Sequence, residues 1–375
     1  MDPTKSPAPG FSSDPMRSAA LPGHLYSDPQ VFAEEKARIF YKSWQPIAHE
    51  SELRKAGDYV CGTVVDQGVF VLRGADDVLR AFHNVCQHRA HELLRGKGNV
   101  KAAIVCPYHA WSYELDGSLR AARATGGLPD FDPDSYKLAP VRMERHLGFV
   151  FVNLDAKAPS LGALAGDMFA DMERDLPWLK DVTVNPAYAF NGGGSRLDAN
   201  WKILAENCLE CYHCGPAHRA YVDMIDVGQY DLTRHGAWMK SAAPVRRADS
   251  SAYHVPPSDP VQFNAFWHLF PNVEFGVMPG TQALSVFYFY PTGPERTEIA
   301  WFVLTRPGEM LAPERVDYLI NVLWPEDQAI CESVHRGLKS QGYRRGRFVA
   351  SPDQPTISEI NVHAFQRRYA EAMGL

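Results

Sequence analysis

Cys86-Gln87-His88 and Cys106-Pro107-Tyr108-His109, separated by seventeen residues, place two cysteine–histidine pairs on two turns within a stretch of short β-like runs. Four potential ligands thus converge from two loops. Such a set suits a tetrahedral zinc ion, or a two-iron, two-sulfur cluster with two thiolates on one iron and two imidazoles on the other. The order along the chain separates these readings. A zinc finger pairs Cys with Cys and His with His, whereas here each loop offers one of each, as a loop touching both irons must. Pro107 between the ligands, with Trp111 and Tyr113 just beyond, predicts a tight, partly apolar turn that shields the group. The cluster is the preferred reading and structural zinc the alternative.

Outward from these loops, runs at 59–65, 68–73, 103–106 and 148–154 are separated by Gly, Asp and Pro turns, which predicts an all-β unit over residues 45–155. Before it, residues 1–23 are rich in Pro, Ser, Ala and Gly and are expected to form a loose arm. From Asp28, with Pro29 in the first turn, the pattern predicts a helix that ends before Trp44. After the β unit, residues 160–185 and 200–225 have helical spacing, 265–305 carry long aromatic and β-branched strands, and 311–340 return to helix. Residues 1–44 and 156–375 therefore make one α+β domain into which the β unit is inserted. Gly192-Gly193-Gly194 is read as a turn, because no strand-to-helix phosphate fingerprint surrounds it.

The 375 residues, 45% of them hydrophobic, suffice for a buried site that excludes water. A net charge of -6, with no basic run denser than Arg344-Arg345-Gly346-Arg347, argues against nucleic acid as a partner. No stretch approaches the ~18–20 apolar residues of a membrane span, and a soluble, cytoplasmic protein is expected. Seven cysteines, an odd number, do not suggest a disulfide framework, and four of them lie within three residues of a histidine.

A second constellation follows Asn200-Trp201-Lys202 and runs from Glu206 to His218. His213 and His218 lie five apart with Gly215-Pro216 between them, so the helix must end or distort and both rings can reach one ion. Cys208, Cys211 and Cys214 have the spacing of a ferredoxin loop, but a fourth cysteine is missing and the surrounding residues are good helix formers. They are read instead as small buried hydrophobes on a helix. A carboxylate would complete a two-histidine, one-carboxylate face for ferrous iron. Glu326, Asp327 and Glu332 are the candidates. Asp327 shares a helical face with Ile330, Cys331, Val334 and Leu338, and a lone aspartate there is costly unless it binds something. Glu332 faces Arg336 as a surface ion pair. Asp327 is therefore preferred.

The pattern C-x-H, seventeen residues, C-x-x-H closely resembles the Rieske motif, and nearly the whole chain resembles the terminal oxygenase (alpha) component of Rieske non-haem iron oxygenases. That resemblance implies a 2Fe-2S cluster on Cys86, His88, Cys106 and His109, and a mononuclear Fe(II) on His213, His218 and Asp327. It implies a helix-grip-like catalytic domain with a central antiparallel sheet around the inserted Rieske domain. Glu210 would bridge the iron site to the cluster of an adjacent subunit in a head-to-tail homotrimer. With no G-x-G-x-x-G fingerprint in the chain, electrons would come from a separate NAD(P)H-dependent reductase or ferredoxin. Glu210, Asp327 and His213 would form the catalytic set, acting with O2 on a small molecule.

Most ring-hydroxylating members have aspartate at the bridging position. Glu210-Cys211-Tyr212-His213-Cys214 instead resembles the branch of choline, glycine betaine, proline betaine and carnitine oxygenases, although His335 stands where that branch usually has Gln. The branch implies oxidative N-dealkylation of a quaternary or tertiary amine, or of an N-alkyl amide or anilide. Aromatic-ring or benzylic hydroxylation is the alternative. Trp267, Phe275, Phe287, Phe289 and Trp301 could cage an ammonium group. Strand alternation against Tyr288 and Tyr290 explains Phe287 and Phe289 equally well as sheet core.

Overall fold

Short apolar runs punctuated by glycine and aspartate become strands in the computed structural model, which describes residues 10–190, 195–350 and 353–375. Two compact units result, one of Phe40–Ala163 and one of Met1–Ile39 with Leu164–Leu375.

The Phe40–Ala163 unit holds β1 (Gln45–His49), β2 (Asp58–Val64), β3 (Gln67–Arg73), β4 (Leu79–His83) and β5 (Lys97–Asn99). It continues with β6 (Ile104–Val105), β7 (Ser112–Tyr113), β8 (Leu119–Ala121), β9 (Pro140–His146) and β10 (Phe149–Asn153). Seven of them form a sheet in the order β1-β10-β9-β4-β3-β2-β5, and β6-β7-β8 form a second sheet. Phe70, Leu72, Phe82, Ile104 and Tyr113 share a core with Cys86 and Cys106, so both thiols are anchored in an apolar cluster. Gly117 has φ +92°, and a Cβ there would lie 2.4 Å from the Phe82 ring, so the β7–β8 turn requires glycine on both counts.

In the larger unit Asp28 accepts from the Gln30 amide at 2.7 Å and caps α1 (Pro29–Arg38). The other helices are α2 (Leu161–Asp175), which starts just before the unit, α3 (Trp201–Cys208), α4 (Cys214–Ala217), α5 (Arg219–Met224), α6 (Pro313–Tyr318), α7 (Trp324–Leu338) and α8 (Ile360–Met373). A π-helical turn, Leu319–Leu323, joins α6 to α7. Strands β11 (Thr183–Phe190), β12 (Arg196–Leu197), β13 (Asp231–His235) and β14 (Trp238–Pro244) precede the long central ones. These are β15 (Phe263–Leu269), β16 (Val273–Val277), β17 (Ala283–Gly293) and β18 (Arg296–Thr305). The order is β11-β18-β17-β16-β15-β14-β13, antiparallel throughout, with β12 also on β18.

Register decides which aromatics are core. Trp267, Phe275 and Val286 are cross-strand neighbours on one face and are fully buried, and the Trp267 indole donates to Asp171 of α2 at 2.7 Å. The opposite face carries the row His268, Glu274, Phe287, Trp301, paired strand by strand from β15 to β18.

A buried ion pair fixes α3. Lys202 Nζ lies 2.5 Å from Glu35 of α1, both side chains having 0% exposure, and Trp201 and Tyr369 also donate to Glu35. Desolvating two charges is tolerable because the carboxylate accepts from three donors. One turn on, Glu206 accepts from Tyr26 and Gln366 at 2.7 and 2.9 Å.

The expected looseness of the arm fails where the arm is described. Ala19 pairs with Arg347, Ala20 donates to the Gly346 carbonyl, and Leu21 donates to Gln366. Buried Ser18 and Leu21 exclude water from these bonds, which local composition does not reveal. Residues 1–9 and Gly192-Gly193-Gly194 lie outside the described residues.

Candidate metal centres

The two cysteine–histidine loops are built alike. The Cys86 amide donates to the His91 carbonyl and the Cys106 amide to the Trp111 carbonyl, each at 2.8 Å, while Ala90 and Ala110 donate back to Cys86 and Cys106. Ala90 and Ala110 both adopt positive φ, +53° and +59°. That conformation is uncommon outside glycine, and its recurrence at equivalent positions marks a closely determined loop. The thiols are buried, whereas His88 is exposed and His109 half-buried. Tyr113 places its hydroxyl 3.3 Å from Cys86 Sγ, and Trp111 stacks on His88, so the apolar shield predicted after Pro107 is present. The two imidazoles stand 4.6 Å apart, and Nδ1 of His109 is buried without a hydrogen-bond partner among the described residues.

The second site starts where α3 stops. Glu210 accepts from the amides of Tyr212 and His213, an internal turn that ends the helix and projects the His213 ring. Cys211 and Cys214 are thereby brought to a Cα separation of 4.9 Å and form a disulfide. This corrects the reading of Cys208, Cys211 and Cys214 as hydrophobes on one helix, since only Cys208 lies on α3. After α4 the backbone leaves helical geometry at His218 and resumes in α5. His213 Nε2 and His218 Nε2 are 3.1 Å apart, and Asp327 Oδ1 lies 3.6 and 3.0 Å from them.

Each imidazole is turned by a glutamate. His213 Nδ1 meets Glu210 at 2.5 Å and His218 Nδ1 meets Glu326 at 2.8 Å, so both rings present Nε2 to the same point. Burial opposes a charged His213, but hydrogen bonds and charge from Asp327 and Glu210 outweigh it and raise the ring to about 9. His218 is raised and Asp327 lowered in the same way, their mutual hydrogen bonds prevailing over burial.

Along α7 the covered stripe is Asp327, Cys331 and His335, at spacing four, while Val334 is 44% exposed. Ile330 and Leu338 are half-buried, so of the face expected from the sequence only Val334 turns outward. Glu332 accepts from Gln328 and from the Asp198 amide, not from Arg336.

The three donors open onto a cavity of about 450 Å³. Its helical wall includes Cys208, Tyr221, Leu323 and Trp324, and its sheet wall Phe266, Glu274, Phe287, Phe289 and Trp301. Of the five aromatics weighed from sequence, Phe287, Phe289 and Trp301 line the cavity and Trp267 and Phe275 do not.

Comparison with known families matches the ring hydroxylating alpha subunit catalytic domain to residues 172–375 and the Rieske [2Fe-2S] domain to residues 43–132. The chain belongs to the Rieske non-haem iron oxygenases. It is 36% identical to the carnitine monooxygenase oxygenase subunit of Acinetobacter pittii (strain PHEA-2), over 96% of each chain. It is 28% identical to the chloroplastic choline monooxygenase of Spinacia oleracea, over 88% of this chain and 74% of that one. A solved quaternary ammonium Rieske monooxygenase superposes with TM-score 0.89 at 35% identity, covering 97% of this chain and 98% of that one. A naphthalene 1,2-dioxygenase at 20% identity and TM-score 0.78 shares the fold.

A Rieske oxygenase carries a 2Fe-2S cluster and a mononuclear iron, and the donor sets fit both. Three cis ligands of an ion with bonds of ~2.1 Å sit about 3 Å apart, which matches the spacing among His213, His218 and Asp327. Two buried thiols and the buried, unpartnered Nδ1 of His109 on the same pair of loops are a donor set for a cluster with mixed ligation. Among the described residues, the cysteine–histidine loops do not close to single-ion dimensions, as His213, His218 and Asp327 do. Sequence reasoning weighed Glu326 only as a ligand and missed its hold on His218. It also missed Glu274, whose signal was a charged residue in the apolar run Val273–Val277.

Proposed function

We propose that this oxygenase removes an N-alkyl group from an amine, with quaternary ammonium compounds as the leading class. One observation carries the reading: an aromatic-walled cavity opens directly onto His213, His218 and Asp327. The likeness to a carnitine monooxygenase subunit across 96% of the chain supports it.

In this reading His213, His218 and Asp327 hold the iron, and Cys86, His88, Cys106 and His109 hold the cluster. Bound there, the metals supply the oxidation, using dioxygen and electrons from a separate reductase or ferredoxin. The chain orients and excludes water. Glu210 and Glu326 hold a proton on each Nδ1 and keep each Nε2 for the metal. Apolar residues of the cavity place an N-methyl group beside the metal face. Oxygen inserted into a C–H bond of that group gives a carbinolamine, which releases formaldehyde, a proton and the dealkylated amine. Glu210 would also link the site to the cluster of a neighbouring subunit in a homotrimer.

The test is mass-spectrometric detection of aldehyde with a surrogate reductase, across quaternary amines, tertiary amines and N-alkyl anilides. Formaldehyde from a trimethylammonium compound is expected. No aldehyde from any class, with oxygen incorporated into an aromatic probe, would replace N-dealkylation by ring hydroxylation.

A further inference from the structure

The sheet wall of the cavity carries a carboxylate that the iron site does not use. Glu274 is 2% exposed, lines the cavity, and lies between His268 and Phe287 in the row that ends at Trp301. The other carboxylates lining the cavity, Glu210 and Asp327, are already engaged by His213 and His218. Among the described residues Glu274 has one hydrogen-bond partner, Nδ1 of His268, at 2.9 Å.

Burial pushes the Glu274 carboxyl up, and the His268 hydrogen bond offsets this only in part, so a cation in the cavity would favour the charged form of Glu274. Next along the row, Phe287 and Trp301 stack at 6.2 Å and 8°. Their faces can attract a cation. Finally, none of the described residues lining the cavity is Lys or Arg.

We propose that Glu274 is a specificity-determining residue, the counter-charge for a substrate that is a net monocation: an N-alkyl ammonium compound without a carboxylate. This rests on the N-dealkylation reading for the reaction, but not for the binding. A zwitterion would bring a carboxylate into a cavity with no Lys or Arg among its described lining residues to meet it, and the desolvation cost would count against it.

The holoenzyme is titrated calorimetrically with two matched pairs of probes. Butyltrimethylammonium and γ-butyrobetaine differ by the carboxylate, and choline and 3,3-dimethyl-1-butanol differ by the positive charge. The native protein should bind the first member of each pair about 10-fold or more tighter. Glu274→Gln should lose most of the preference for choline while keeping its iron and cluster content. Equal binding of γ-butyrobetaine and butyltrimethylammonium overturns the proposal, as does an undiminished choline preference in Glu274→Gln. If that variant fails to fold, the native titrations decide alone. Monocation preference without aldehyde release would leave the binding assignment standing and remove N-dealkylation.

Discussion

His213 and His218 each commit Nδ1 to a glutamate, and the two glutamates come from opposite sides of the site, Glu210 from the turn after α3 and Glu326 from the start of α7. Glu326→Gln should therefore loosen His218 without removing a donor. Mononuclear iron affinity should fall about 10- to 100-fold while the visible spectrum of the cluster is unchanged, as metal analysis and absorption would record. That Asp327 stands with the two histidines was legible because an aspartate on the inner face of an amphipathic helix demands a partner. Its neighbour Glu326 was not. One residue along a helix turns by about 100°, so Glu326 looked like a competing ligand when it serves the other side of the same imidazole. Glu274 was illegible for a different reason: its placement depends on the register of four strands, which no local pattern specifies.

At the scale of elements, α3 is held by charge buried beneath it. Lys202→Met should cost about 3–5 kcal/mol in denaturant unfolding, because Glu35 would remain buried without its counter-ion. Adding Glu35→Gln should recover much of the loss. Glu206 predicts a pH dependence. Burial raises its carboxyl from 4.5 to about 7, with the Tyr26 and Gln366 hydrogen bonds opposing. A carboxyl raised on folding keeps its proton better in the folded state, so its contribution is intact below about 4.5 and is lost as the pH rises through about 7. Glu206→Gln should remove that slope. Thermal unfolding of the two proteins should diverge between pH 5 and 8, with the variant gaining on the order of 3 kcal/mol relative to native at the alkaline end. The existence and order of α1, α3 and α7 were readable from periodicity and caps. The end of α3 at Cys208 was not, because a side chain, Glu210, captures the backbone there and draws Cys211 and Cys214 together.

At the scale of the whole molecule, the two donor sets occupy separate compact units, and the proposed electron route joins units from different chains. Complementation tests this. Cys106→Ser should lack the cluster and His213→Ala the mononuclear iron, so each alone should be inactive. Co-expressed, they should recover a measurable fraction of turnover, since in the proposed trimer some copies would pair an intact cluster with an intact iron site across an interface. No recovery in confirmed mixed oligomers would confine transfer to one chain and remove the bridging role of Glu210. The insertion of a β unit in an α+β frame was legible from the change in hydrophobic period. The tethering of residues 19–21 to the far end of the chain was not, because it joins positions more than 300 apart through bonds of backbone amides that leave no mark on composition.

The two walls of the cavity differ in what they can afford to change. The three proposed iron ligands all project from the helical side, around α3–α5 and α7, while among the described residues the side formed by β15–β18 contributes none. Substitution at Phe266, Phe287, Ile299 or Trp301 alters what fits without touching a ligand, whereas substitution around Cys208 or Trp324 disturbs segments that also position the iron. Divergence of substrate preference along a lineage should accordingly accumulate on the sheet, leaving the helices as the inherited, slowly changing half of the site.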